Sequence, residues 1–294
     1  MPGEDLALYS TPLFVDTTLN GQTAFAPRFW DDGTARLTAY EYQGYTQSRC
    51  ATEGGLTCND CHAMHEGDPR GQLRPSAAGD AMCTRCHGAL SGTSARLAHV
   101  APSAERGGSA VHARVACVEC HMPRVVYGLR AAHRSHRIDS PPRSLGVRTS
   151  DRLDACALCH LDGTQRARGG AAPIDDLFAG DPIQRAIVAS ALGRHDSLAP
   201  QVGFTRPARL ALLLEVMRDD RYPGVRSVAW SSARAIAAPE AGVVPTDFVP
   251  TEGGPQRALR VAELARRLGV DVAPPLERAI LRARASERAI EIGE

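Results

Sequence analysis

The chain has 294 residues, a length that suits one large or two moderate domains. Its 34 basic and 33 acidic residues leave a formal net charge of +1, so no strong net charge points to nucleic acid or an anionic membrane as a partner. No apolar run approaches the roughly 18 residues of a transmembrane helix, so we expect no membrane span in this chain.

Residues 1–48 carry most of the aromatic side chains. Between Phe29-Trp30 and residues 37–40, the run from Asp31 to Thr34 predicts the turn of a short hairpin. We expect this N-terminal segment to wrap the region that follows it and to cover that region with aromatic rings. An ordinary small sheet is an equally good interpretation.

Residues 49–170 contain the pattern C-x-x-C-H four times. The copies are Cys58, Cys61 and His62; Cys83, Cys86 and His87; Cys117, Cys120 and His121; and Cys156, Cys159 and His160. This pattern is typical of covalent attachment of c-type haem, in which both cysteines form thioethers and the adjacent histidine binds the iron. The sequence therefore predicts four covalently bound haem c groups with these histidines as iron ligands.

Two other chemistries use paired cysteines. Structural zinc needs thiolates that converge, but it does not require a histidine directly after every second cysteine. A disulfide framework would not demand four identical spacings and would leave one of the nine cysteines unpaired. Haem attachment explains the repeated pattern better than either.

The same segment is rich in Gly, Pro, Ser and His and shows little apolar periodicity. Such a segment cannot build its own hydrophobic core, so we expect the porphyrins to supply it and the segment to unfold without them. Short helices are expected at each motif.

After residue 170 the composition changes to apolar stripes with helical spacing. The stripes are Ile183, Ala186 and Ile187; Leu210, Leu213, Leu214 and Met217; Val225, Val228, Ala229 and Ile236; Val261, Leu264, Ala265 and Leu268; and Leu276, Ala279, Ile280 and Ala283. Asp181-Pro182 predicts a helix start and Gly269 a helix end. The run from Asp219 to Ala229 loosely resembles the turn of HEAT-type repeats.

The predicted fold class is therefore mostly α with much irregular structure. We divide the chain into an aromatic wrapping segment, residues 1–48, a haem-packed tetrahaem cytochrome domain, residues 49–170, and a HEAT-like α-helical domain, residues 171–294.

Several segments resemble a group of bacterial multihaem c-type cytochromes. They are Arg28 to Gly33, Glu41 to Gly44, Ser48 to Cys50, Leu56 to His65, Cys120 to Pro123, Tyr127 to Leu129, Ser135 to Pro141 and Ala155 to Asp162. The C-H-M-P run gives a distant similarity to the cytochrome c-554 and nitrite-reductase class. Members often carry TPR or HEAT-like helices after the haems. The resemblance covers roughly residues 25–165 well and gives a class rather than a substrate.

A low-potential electron carrier usually needs a second imidazole on each iron. The resemblance implies that His65 and His136 are such distal ligands, and His99 and His112 lie where relatives carry paired histidines. His133 is expected to be solvated or to bind a haem propionate, and His195 to lie on the surface. Thioether ligation by Met64, Met82 or Met122 is a weaker alternative.

Cys50 stands outside the motifs, and we leave open a thiolate near the first haem and a buried free thiol. All basic residues are arginine, and we expect several in the haem region to pair with propionates. They are Arg49, Arg70, Arg74, Arg124, Arg130, Arg134, Arg137 and Arg143.

No nucleophile or proton-handling pair is visible, so an electron carrier or a subunit of a multihaem redox assembly is favoured over an enzyme. Expected partners are other redox proteins, subunits of such a complex, or further copies of the chain. The alternative is a reductase or oxidase of a small nitrogen or sulfur compound at one iron with an open axial site. Haem attachment implies export to the periplasm or the cell exterior. Because residues 1–5 lack a signal-peptide pattern, we expect that signal to be removed, to lie upstream, or to be replaced by another route.

Overall fold

The computed structural model describes residues 4–5, 8–37, 41–63, 65, 67, 71–100, 109–128, 131–141, 152–162, 173–179, 181–194, 204–237 and 248–273. Within these ranges the fold is mostly α-helical, with much irregular backbone and one two-stranded sheet. This confirms the predicted fold class. None of the helices in these ranges is long and apolar enough to cross a membrane.

The first half of the chain consists of short helices joined by turns. They are α1 (Glu41–Thr46), α2 (Arg49–Thr52), α3 (Cys58–Cys61), α4 (Ala81–Thr84), α5 (Thr93–Val100), α6 (Ser109–His112) and α7 (Cys117–His121). An antiparallel hairpin follows, formed by β1 (Arg124–Tyr127) and β2 (Ala131–Arg134). Helices this short are marginal alone and depend on tertiary contacts.

Among the described residues, the second half contains one short helix followed by four longer helices. They are α8 (Asp176–Ala179), α9 (Pro182–Leu192), α10 (Arg206–Asp219), α11 (Pro223–Ile236) and α12 (Gly254–Leu268). The predicted start of α9 is confirmed, because the Asp181 carboxylate accepts the Ile183 N–H at 2.8 Å and the Gln184 N–H at 3.1 Å. The predicted end of α12 is confirmed by Gly269, whose φ of 63° lies in the left-handed region that favours glycine.

Helix α10 packs against α9, α11 and α12, and α9 also packs against α11. The first four predicted apolar stripes face these contacts, and all their members are buried except Leu268, which is partly buried against the core. The fifth stripe, from Leu276 to Ala283, lies outside the described residues. The HEAT-like arrangement stays a prediction.

One hydrophobic core extends through all three predicted segments. Its buried members include Trp30 from the first segment, Leu153 and Leu161 from the second, and residues of every helix from α8 to α12. Helix α9 also packs on both strands of the hairpin. The haem region therefore shares a protein core with the helices. We had expected the porphyrins to supply the hydrophobic core of this region. The segment limits at residues 48 and 170 stay predictions.

The predicted turn near residue 32 is present. The Gly33 N–H donates to the Trp30 carbonyl at 2.9 Å, and the Trp30 N–H donates to the Thr34 carbonyl at 2.8 Å. The flanking backbone forms one isolated bridge rather than a pair of strands, and residues 38–40 lie outside the described residues.

Arg36, only 2% exposed, connects this N-terminal turn to the helical half. Its guanidinium donates to the Asp181 carboxylate at 3.2 Å and lies over the Trp30 ring, 5.3 Å from the ring centroid. The Trp30 ring is buried in the shared core. The expected role of this ring was to cover the haem region.

Candidate haem centres

Local hydrogen bonds shape each C-x-x-C-H motif. In the first, the Asp60 carboxylate accepts the Thr57 N–H at 2.7 Å, which caps helix α3. The second motif lies across the end of α4 and the third forms α7. Residues 155–159 of the fourth form a turn instead of the expected helix. There the Asp154 carboxylate accepts the Ala157 N–H at 2.7 Å, and the single turn ends with the His160 N–H bonded to the Cys156 carbonyl at 2.8 Å.

Two motif histidines are oriented by backbone carbonyls. Nδ1 of His62 lies 2.7 Å from the Gly71 carbonyl oxygen, and Nδ1 of His121 lies 2.8 Å from the Asp139 carbonyl oxygen. A carbonyl oxygen can only accept, so each Nδ1 carries the proton. Nε2 is then the nitrogen with a free lone pair, as in metal-binding histidines oriented by a second hydrogen bond.

Three motif histidines face a second histidine across the fold. The pairs are His62 with His136, His121 with His99, and His160 with His112. In each pair the ring centroids lie 6.0 Å apart, and the ring planes are inclined by 32°, 26° and 39° respectively. The partners come from a loop after β2, from α5 and from α6. The structure thus brings together three of the four predicted distal histidines with three of the four motif histidines.

The common separation fits a haem iron held between two imidazoles. A metal lies about 2 Å from a ligating imidazole nitrogen. Two such rings on opposite sides of one metal therefore have centroids about 6 Å apart. Burial lowers the pKa of His136 and of His160, which favours the neutral imidazole that a metal requires.

The second motif is different. His87 is exposed, and no ring partner for it occurs in the described ranges. The predicted distal ligand His65 is also exposed. His133 has an exposed side chain on β2, opposite Val125, and His195 lies outside the described residues. Of the alternative thioether ligands, Met122 is buried in the protein and Met64 lies outside the described residues.

Attachment cysteines of successive motifs are neighbours. Burial and the adjacent Cys117 thiol raise the pKa of Cys83 to about 11. Burial and the nearby Cys159 thiol raise the pKa of Cys120 to about 11 in the same way. The second motif therefore adjoins the third, and the third adjoins the fourth.

Asp80 fixes the contact between the second and third motifs. Its carboxylate accepts the Cys117 N–H at 2.8 Å and pairs with Arg96 at 2.6 Å. Arg96 also donates to the Val115 carbonyl at 2.9 Å, so one side chain of α5 holds the approach to α7. Burial would raise the pKa of Asp80, but the Cys117 N–H and Arg96 outweigh it and lower that pKa.

His136 is positioned by a close backbone contact that the sequence analysis did not identify. A Cβ added to Gly44 of α1 would lie 2.9 Å from the Arg137 backbone nitrogen and 3.3 Å from the His136 carbonyl carbon. Only glycine permits this approach without a shift. Arg137 in turn contacts Asp32 in the N-terminal turn, with a nitrogen to carboxylate distance of 3.7 Å.

Of the arginines expected to pair with propionates, the five that the structure describes have partners within the protein. Arg74 donates to the Asn59 carbonyl at 2.7 Å and to the His62 carbonyl at 3.1 Å, which holds the loop around the first motif. Arg134 pairs with Glu119, and the exposed Arg49 pairs with Glu53. Pairing with propionates stays a prediction. Arg70, Arg130 and Arg143 lie outside the described residues.

Cys50 is half-buried, and its pKa is raised by burial and by the nearby Cys86. Burial thus favours its protonated thiol over the thiolate considered from the sequence. Cys50 lies near Cys61 of the first motif, the position considered from the sequence, and also near Cys86 of the second motif.

Zinc requires ligands that converge. Among the described residues, no group of three or more His, Cys, Asp and Glu side chains is arranged to hold a metal ion. The motif cysteines do not form the tetrahedral thiolate set of structural zinc there.

Comparison with protein-family models found two matches. Residues 51–92 match the doubled CXXCH motif, and residues 93–176 match the cytochrome c552 family. Comparison with the curated proteins and with the solved structures gave no significant match. The family matches and the repeated motif indicate a multihaem c-type cytochrome that carries covalently bound haem c and serves in electron transfer.

Proposed function

We propose that the chain is a tetrahaem electron-transfer protein in which each C-x-x-C-H motif holds one haem c. The observation that carries this proposal is the equal 6.0 Å separation in three histidine pairs. The paired rings come from distant parts of the chain, and packing alone gives no reason for one common separation. Two imidazoles that bind one iron explain such a common separation.

Each proposed pair consists of a motif histidine and a distal histidine. They are His62 with His136, His121 with His99, and His160 with His112. Haem supplies reversible one-electron chemistry. Two imidazoles that both bind one iron would leave no position on it for a substrate, which favours an electron carrier over an enzyme at these three centres.

For the second motif we propose His65 as the partner of His87. The other three predicted distal histidines already face other motif histidines. His65 follows the first motif by three residues, so one short segment would bind one haem and complete the ligation of the next. This arrangement, with the neighbouring attachment cysteines described above, supports a continuous series of haems.

A second candidate function is reduction or oxidation of a small nitrogen or sulfur compound at the second haem. The exposed position of His87 favours this candidate, because a substrate could reach that iron from solvent if the second axial position were open. The two functions differ in the spin state expected for the iron at the second motif.

Electron paramagnetic resonance of the oxidised holoprotein distinguishes them. Four low-spin bis-imidazole signals are expected for the carrier, whereas a high-spin signal that responds to nitrite or hydroxylamine would establish the alternative. Mass spectrometry of the intact chain counts the haems, and fewer than four would contradict the tetrahaem proposal.

The ligand assignment has its own test. His65→Ala should convert the haem attached at Cys83 and Cys86 to high spin and leave the haem of the first motif low-spin. His133→Ala is the matched control, since His133 is also an exposed histidine near a motif. The assignment is wrong if His65→Ala leaves all signals unchanged or alters the haem at Cys58 and Cys61.

We further propose that the protein acts after export, in the periplasm or outside the cell. There the helical half, as a HEAT-like domain, would dock it to other redox proteins, to subunits of a multihaem complex or to further copies of itself. Size-exclusion chromatography of native material tests the assembly. A monomer that co-elutes with no redox partner would argue against it.

A further inference from the structure

A partly buried cluster of arginines lies between the third and fourth motifs. Glu119, inside the third motif, pairs with Arg134 of β2 and lies 3.4 Å from a guanidinium nitrogen of Arg194. Arg124 of β1 belongs to the same cluster, because burial and the charges of Arg134 and Arg194 lower its pKa while Glu119 opposes them. Three guanidinium groups around one carboxylate leave an excess of positive charge in a poorly solvated place.

Arg194 extends this charge to the fourth motif. Its Nη1 lies 3.0 Å from Sγ of Cys159, and its side chain is only 6% exposed. Once haem is attached, Cys159 Sγ is the thioether sulfur on the porphyrin edge. The guanidinium is therefore held against the attachment point of the fourth haem.

The helical half determines where Arg194 lies. Arg194 comes directly after Gly193, the residue that caps the end of α9. The fully buried Arg209 of α10 donates to the Arg194 carbonyl at 2.8 Å and to the Leu192 carbonyl at 3.1 Å. These bonds satisfy carbonyls that the end of α9 leaves without helical partners. The preceding Gly193 packs so closely on α11 that an added Cβ would lie 2.4 Å from Cβ of Ser232.

We propose that Arg194 sets the reduction potential of the haem attached at Cys156 and Cys159. Reduction adds one electron, and a fixed positive charge in a poorly solvated place stabilises the reduced state. The helical half, which positions Arg194, thereby raises the potential of the fourth haem. This inference rests on the proposed function in so far as it requires haem at the fourth motif.

The test is a spectroelectrochemical titration of the holoprotein in which each haem is followed by its own low-spin resonance signal. Arg194→Gln should lower the equilibrium constant for reduction of the fourth haem about tenfold. This corresponds to a fall of ~59 mV in its reduction potential for one electron. Arg194→Lys keeps the charge and should stay near the wild-type potential. Glu119→Gln removes the compensating negative charge and should raise the potential. Arg266→Gln, on the exposed surface of α12, is the control for a general change in net charge.

A purely structural role predicts other results. If Arg194 only holds α9 against the motifs, the Lys and Gln variants shift the potential alike, or Arg194→Gln and Glu119→Gln shift it in the same direction. Either result, or an unchanged potential in Arg194→Gln, overturns the proposal. Failure of the proposed function is seen separately, since the peptide containing Cys156 and Cys159 would then lack the mass of a haem.

Discussion

Gly44→Ala provides a sensitive test of the proposed ligation at the first motif. The change adds one methyl group to α1, at a helix position where alanine is favoured over glycine by about 1 kcal/mol. Helix propensity alone therefore predicts a more stable protein. The structure predicts the opposite, because the new Cβ would lie 2.9 Å from the Arg137 nitrogen and 3.3 Å from the His136 carbonyl carbon.

The magnitude follows from these contacts. Both nearest atoms belong to backbone, so α1 or the His136 segment must move by several tenths of an ångström. Overpacking of this kind costs about 1–3 kcal/mol. After the gain in helix propensity, the net loss of unfolding free energy should be about 0–2 kcal/mol. The displaced segment carries His136, a proposed iron ligand. The resonance signal of the first haem should therefore change clearly even though the loss of unfolding free energy is small.

The measurements are urea unfolding and electron paramagnetic resonance on the same samples. The signal of the haem at Cys58 and Cys61 should shift or gain high-spin character, while the other three stay unchanged. Gly92→Ala is the control, since an added Cβ there meets no atom within 4 Å. Equal spectra for Gly44→Ala and wild type, together with increased stability, would refute the close-contact argument and weaken the assignment of His136.

Three further predictions concern stability. The lowered pKa of Asp80 means that its hydrogen bond to the Cys117 N–H stabilises the fold above the ordinary aspartate pKa of about 4, and this stability is lost as the pH falls through the lowered folded-state pKa. Asp80→Asn should therefore cost about 1 kcal/mol at neutral pH in urea unfolding and progressively less in acid; a pH-independent cost would contradict this. Gly193→Ala should cost about 1–3 kcal/mol because of the 2.4 Å contact with Ser232, whereas Gly254→Ala, whose added Cβ would meet only a side-chain nitrogen at 4.0 Å, should be nearly neutral; equal effects would refute the packing at the end of α9. Without haem, hydrogen exchange should show protection in the helical half and little in the motif region, and uniform loss of protection would show that the helical core does not fold alone.

Much of this architecture could be predicted from local sequence patterns. The spacing of Ile183, Ala186 and Ile187 predicted a buried stripe, and Asp181 and Gly269 predicted a helix start and a helix end. The stripe is buried, but so is every other residue of α9 except Ser190, which the spacing did not predict. These features depend on residues within one or two turns of each other. Local patterns also led to the four motifs, because covalent attachment requires both cysteines and the histidine in one short segment.

The long-range contacts could not be predicted in this way. The sequence suggested His136, His99 and His112 as distal ligands but not which motif histidine each one faces, since those pairs join residues far apart in the chain. The run from Glu41 to Gly44 carried part of the family resemblance, but the reason for the glycine could not be predicted, because its role depends on the backbone of a segment more than 90 residues away. Arg194 was equally hidden among the many arginines of a chain that contains no lysine.

The two halves of the molecule gain their stability differently, and this difference explains why they share a core. Helices α9 to α12 bury long apolar faces against each other, so protein side chains can stabilise them. The motif helices are only four or five residues long and bury little apolar surface of their own. A bound haem can order such segments, but it fixes only the residues near its own iron and thioethers. The contacts of α9 with the hairpin connect the region of the third motif to the helical core. The ion pair of Arg36 with Asp181 connects the N-terminal turn to the same core. The helical half therefore fixes where several haem-binding segments lie, and under the proposal for Arg194 it also places a positive charge beside the fourth motif.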